Sequence, residues 1–234
     1  MSTILYKANS RGKADYGWLK ANYSFSFANY YDPSRIHFGM LRVLNDDTVA
    51  PMNGFDTHPH DNMEIITIPL QGEITHRDSM GFGETLKAGQ IQVMSAGTGI
   101  FHSEHNNHPE TELKLLQIWV FPHTKNVKPR YDTIDYELIE NKLVQLVSPY
   151  KEDEGSWIHQ NAWFNLGKFT AGKQLAYSLH DQSNGIFVFI IKGKVKINDT
   201  NIETRDAMGI SNQRITDIEC IDDSEILIIE VPMN

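Results

Sequence analysis

The chain has 234 residues, 40 % of them hydrophobic, a formal net charge of −9 and a single cysteine. That is enough apolar chain for one large domain or two small ones around a buried core. A net acidic chain without a basic cluster is unsuited to direct nucleic-acid binding, and the lone Cys220 excludes an intrachain disulfide and a thiolate cluster, favouring a reducing compartment.

The opening stretch MSTILYKANSRGKADYGW lacks the apolar segment of a signal peptide. The longest apolar runs, such as 186–191 (IFVFII), are too short to span a bilayer. A cytoplasmic location without membrane contact is therefore the expectation. The aromatic group Tyr23, Phe25, Phe27, Tyr30 and Tyr31 reads as core or interdomain packing.

Strand signals then follow one another closely, at 37–44, 64–69, 72–76, 90–95 and 113–121. Each is short, rich in β-branched or aromatic residues and bounded by Gly, Pro, Asn or Asp. Residues 122–132 and 148–155 read as connectors, and 133–146 could hold a turn of helix. A second set of strands is expected at 185–191, 194–197 and 226–231, with 192–196 (KGKVK) as a turn carrying solvated lysines. Many short strands with frequent turn signals predict an all-β chain, with two small barrels in tandem at about 24–121 and 174–231. Residues 1–130 carry 12 Lys/Arg and 13 Asp/Glu, or −1, and 131–234 carry 9 and 17, or −8. The acidic half reads as a solvated surface that aids solubility.

Two segments carry chemistry. In the first, GFDTHPHDNME, His58 and His60 are two residues apart and so share one face of a strand. Glu64 has the same parity if no bulge intervenes. In the second, GQIQVMSAGTGIFHSEHN, His102 and Glu104 repeat the spacing after a Gly97/Gly99 turn that permits positive φ. Brought together, the two strands offer three imidazoles and one carboxylate, a set suited to a divalent Fe, Mn, Co, Ni, Cu or Zn ion. His76 reads as structural or as a support for these ligands. His105 and His108 lie in a polar loop, and His37, His123, His159 and His180 are isolated. Cys220 reads as a small buried apolar residue. No phosphate-binding loop, nucleophile elbow or dinucleotide fingerprint is present.

These segments resemble the pirin family of the cupin superfamily. GWLKANYSFSFANYYDPSRIHFGMLRVLNDD resembles the family's opening block, and the two histidine segments match its metal motifs. The likeness is strong over about 1–130 and looser to Glu230-Val-Pro232, and it is greatest to bacterial pirins that act as quercetin dioxygenases. It implies a bicupin, with a metal-binding domain at 1–130 and a second cupin domain at 131–234 that carries no metal motif. It implies one metal, usually iron, on His58, His60, His102 and Glu104. Glu64 matches the carboxylate ligand of the general cupin motif but here is expected to support the ligands. Phe55, Met94 and Phe101 are candidates for the pocket wall. The implied reaction opens a quercetin-like flavonol with O2 and releases carbon monoxide, and Glu104 takes the proton of the substrate hydroxyl. The competing readings are a metal- or redox-sensing regulator that binds partner proteins, and a metal-dependent isomerase or oxygenase with another substrate.

Overall fold

In the computed structural model, which describes residues 2–234, the chain is built almost entirely of strands. In order they are β1 Ser2–Tyr6, β2 Gly12–Asp15, β3 Leu19–Tyr23, β4 Leu41–Val49, β5 Asn53–His60, β6 Glu64–Gln71, β7 Glu73–Asp78, β8 Gly83–Lys87, β9 Gln90–Ser95, β10 Ile100–Asn106, β11 Leu113–Val120 and β12 Arg130–Asp135. Then come β13 Lys142–Ser148, β14 Ser156–Trp157, β15 Trp163–Phe169, β16 Gln174–Ser178, β17 Asn184–Lys192, β18 Lys194–Ile197, β19 Thr200–Glu203, β20 Ala207–Ser211, β21 Ile215–Cys220 and β22 Ser224–Pro232. The helical turn expected within 133–146 does not form. That stretch is shared by β12 and β13, because Tyr131 to Asp135 pair with β9 and Lys142 to Val147 pair with β15. Tertiary pairing decides here over a weak local pattern.

Each barrel sets a seven-stranded sheet against a four-stranded one. The first uses β12-β9-β6-β11-β4-β3-β2 and β5-β10-β7-β8, and the second uses β1-β20-β17-β22-β15-β13-β14 and β16-β21-β18-β19. Two strands stand away from a division at residue 130. β1 lies on the edge of the second barrel, with Ser2 opposite Ser211 and Tyr6 opposite Ala207. β12 lies on the edge of the first, beside β9.

The central strands β6, β17 and β22 of the large sheets are buried on both faces and read as nearly unbroken apolar runs. Successive side chains still alternate. Ile66, Ile68, Leu116 and Ile118 face outward and meet Phe164, Phe187, Phe189, Leu227 and Ile229 in one core between the barrels. Phe25 joins this core and packs on Phe187 at 5.5 Å, whereas Tyr31 stays exposed. Ile186, Val188, Ile190, Ile226, Ile228 and Cys220 face inward and fill the second barrel. The first barrel's inward positions include Asn45, Asp47, Thr67, Gln92, His76, His102 and Glu104, all buried.

Candidate metal centre

β5 and β10 lie side by side on the small sheet of the first barrel, with His58 directly opposite His102. The register slips by one residue between this pair and the Glu104–Phe55 pair. The extra residue is a bulge in β5 around Asp56 and Thr57, which re-aims the strand at its functional end. The bulge also brings the Asp56 carbonyl to 2.7 Å from His58 Nδ1. A carbonyl only accepts, so Nδ1 carries the proton and His58 Nε2 keeps its lone pair.

The ring centroids of His58, His60 and His102 are 4.9 Å (58–60), 4.4 Å (58–102) and 4.8 Å (60–102) apart. One ligand nitrogen from each of the three lies within 4.8 Å of the others. Glu104 falls in a second, overlapping cluster with His76 and His102. Gln92 Nε2 donates to Glu104 Oε1 at 3.2 Å and Gln117 Nε2 donates to Oε2 at 3.0 Å. Thr67 Oγ1 also lies 3.3 Å from Oε1. These donors hold the carboxylate in place.

His102 is oriented by a relay. His76 Nε2 is 3.1 Å from Asp78 Oδ2, and His76 Nδ1 is 3.4 Å from His102 Nδ1. With the Asp78 carboxylate accepting from His76 Nε2–H, His76 Nδ1 is placed to accept from His102 Nδ1–H. This leaves the lone pair of His102 on Nε2. That atom is buried and has no hydrogen-bond partner. Burial is the main cause lowering His102 to about 3 and His60 to about 4, so both rings are neutral near pH 7, as a metal ligand requires. An orphaned, neutral, inward-aimed nitrogen beside two further imidazoles is the donor chemistry a divalent cation fits.

A cavity of about 390 Å³ opens over this cluster. It is lined by His58, His60 and Glu104, and its aromatic walls are Trp18, Phe27, Phe55 and Trp119. Trp18 meets Phe55 edge-on at 5.3 Å, and Trp119 meets His60 at 4.8 Å.

Of the residues expected at the site, His58, His60 and His102 come together and Glu104 stands beside them. Phe55 lines the cavity. Met94 is fully buried in a cluster with Ile65, Ala96 and Ile100, and Phe101 is exposed, so neither forms the wall. Glu64 does not support the ligands. It takes the strand face of Ile66 and Ile68, which points at the other barrel, and accepts from Ser95 Oγ at 2.6 Å. Burial raises its carboxyl to about 7. His76 supports His102, one of the two roles expected of it, but sequence reasoning missed Asp78 behind it. Its signal was the H-x-D spacing in ITHRDS, which repeats the two-apart rule. The same reasoning also missed Trp18 and Trp119, and it missed Asn45 and Asp47, for which an extension of the 37–44 strand to Val49 was the needed clue. Among the described residues no helix is long and apolar enough to cross a membrane.

The Pirin family model matches residues 6–120, and the model described as the quercetinase C-terminal cupin domain matches 145–231. The chain is 39 % identical over 228 residues to quercetin 2,3-dioxygenase of Escherichia coli K12, covering 97 % of this chain and 98 % of that protein. It is 38 % identical over 222 residues to a pirin-like protein of Caulobacter vibrioides, covering 94 % and 95 %. The crystal structure of bacterial pirin YhhW from Escherichia coli in complex with nickel(II) superposes with a TM-score of 0.94 at 37 % identity, covering 99 % of each chain.

Proposed function

This chain belongs to the pirin family of bicupins, and we propose that it is a metal-dependent dioxygenase that opens the flavonol ring of quercetin-like substrates with O2. The observation that carries the reading is the unpartnered His102 Nε2, converging with His58 and His60 beneath an aromatic-walled cavity. We assign the metal to the first barrel, on His58, His60, His102 and Glu104. The donors suit a divalent first-row ion. Iron is the family expectation, and nickel(II) is the ion in the YhhW complex. A bound ion supplies Lewis acidity toward a substrate oxygen and lowers the pKa of its hydroxyl.

The chain's own residues supply the rest. Trp18, Phe27, Phe55 and Trp119 take up the flat aromatic body of a flavonol and exclude water. Glu104 accepts the proton of the flavonol's 3-hydroxyl on a carboxylate oxygen, as general base. Gln92 and Gln117 keep that carboxylate oriented through their amide donors. Asp78 and His76 hold His102 in the tautomer that presents Nε2 inward.

The test combines metal analysis with turnover. Protein purified without added metal is expected to carry close to one divalent ion per chain, consume O2 with quercetin and release carbon monoxide. Loss of quercetin no faster than with a His58→Ala variant, or without carbon monoxide, would overturn the dioxygenase reading.

A further inference from the structure

Strand β4 carries three consecutive polar residues, Asn45, Asp46 and Asp47, and treats them differently. Asp46 turns out of the barrel, where Arg11 Nη1 lies 3.1 Å from its Oδ2 and Arg205 Nη1 lies 3.3 Å from its Oδ1. Asn45 and Asp47 turn inward and are only 2 % and 4 % exposed. Neither side chain makes a hydrogen bond to another described residue, and Oδ1 of each is sealed from solvent without a partner. Both line the cavity over His58, His60 and Glu104.

Buried polar heads are normally satisfied, because leaving them unpaired is costly. Two adjacent exceptions on one strand face, both in the wall of one cavity, mark groups kept free for a ligand. Trp119 Nε1, in the same wall, is a third unpartnered polar atom. Asn45 can donate and accept, Asp47 can accept, and the indole N–H can donate. A ligand complementing all three carries hydroxyl groups. The aromatic walls require those hydroxyls to sit on a flat ring. A cationic ligand is disfavoured, since the same cavity is lined by the nitrogen ligands of a dication.

We propose that Asn45 and Asp47 form the subsite that recognises the hydroxylated second ring of a phenolic ligand whose other end lies at the histidines. This rests on the reading that the cavity takes a flavonol, and not on turnover.

The test uses the metal-loaded protein without oxygen. Tryptophan fluorescence follows binding of quercetin, whose second ring is a catechol, and of galangin, whose second ring has no hydroxyl. The two share the same 3-hydroxyl and 4-carbonyl end. Wild type is expected to bind quercetin about tenfold or more tightly than galangin. Asn45→Ala and Asp47→Ala are each expected to weaken quercetin by about tenfold while galangin stays within about twofold of wild type. Neither variant should lower the melting temperature, since no intramolecular hydrogen bond is lost. An unchanged preference in both variants, an equal loss for both ligands, or a marked fall in melting temperature overturns the subsite. Binding of neither flavonol to wild type overturns the subsite and the flavonol reading together. A preference that depends on Asp47, in a protein that consumes no O2, supports the subsite and sinks only the dioxygenase.

Discussion

The two barrels share a strand plan but resolve their interiors in opposite ways. β5 and β10, which present the histidines, correspond in sheet order to β16 and β21. There the inward residues include Tyr177, Ile218 and Cys220, packed among Ile186, Val188 and Ile228. The second barrel does keep a buried carboxylate, Glu230, but it is saturated. Tyr177 Oη donates to it at 2.9 Å, Asn184 Nδ2 at 2.8 Å, and the His180 backbone N–H at 2.9 Å, with His180 Nδ1 at 2.8 Å. In the first barrel the orphans include His102 Nε2, Asn45 Oδ1, Asp47 Oδ1 and Gln92 Oε1. A polar group that has all its partners holds a fold together, while one that lacks them is available to something outside the chain.

The largest test of this contrast removes a donor from the first barrel. His102→Ala is expected to weaken metal binding by more than about 100-fold, read by competition with a chelator, while the apo protein keeps its fold. A comparable truncation in the second barrel should do the reverse. Glu230→Ala strands several buried donors and should cost about 3 kcal/mol in denaturant unfolding, with metal content unchanged. Metal loss in that variant would mean that the barrels are not independent in this respect. The relay behind His102 gives a smaller effect. His76→Phe keeps the stack on Tyr131, now at 4.4 Å, but removes the acceptor for His102 Nδ1–H. Metal affinity is expected to fall about 10- to 100-fold.

The smallest effect lies between the barrels, at Glu64. Burial lifts its folded pKa to about 7, above the ordinary glutamate value of 4.5. The folded state therefore holds the proton more tightly than the unfolded chain. Any stability this confers is present below the unfolded pKa and is lost as pH rises through about 7. Relative to wild type, Glu64→Gln should gain on the order of 1–3 kcal/mol as pH is raised from 4.5 to 7.5, measured by paired urea melts at each pH. Taking the difference cancels the opposing titration of His60 and His102, whose lowered values add stability as pH rises toward 6.5. A flat difference across that window would remove Glu64 from the account.

The comparison also shows what a single sequence can convey. The convergence of His58, His60 and His102 was legible because two-residue spacing on a strand is a strict geometric rule, while the preference for Glu104 over Glu64 came from the family resemblance. The all-β architecture was legible from turn residues and branched side chains, and the strands Gln90–Ser95 and Lys194–Ile197 fall where the pattern puts them. Glu64 was misplaced because its parity was carried from His60 through Asn62, which has positive φ and breaks the strand. Asn45 and Asp47 were hidden because a polar triplet reads as the end of a strand unless the barrel interior is known to be polar. β12 was hidden because its only reason to be a strand is its pairing with β9, a contact some forty residues away.

Strand β1 links the two halves in time as well as in space. Its partner β20 comes about two hundred residues later, with Ser2 opposite Ser211. At ordinary synthesis rates of 5–20 residues per second, that separation is roughly 10–40 s. During that interval an edge segment with its backbone groups unpaired waits beside a nascent first barrel. Residues 2–6 are thus translated early and docked late. A chain interrupted before 211 would leave them as a sticky end, open to capture by the same edge of a neighbouring copy.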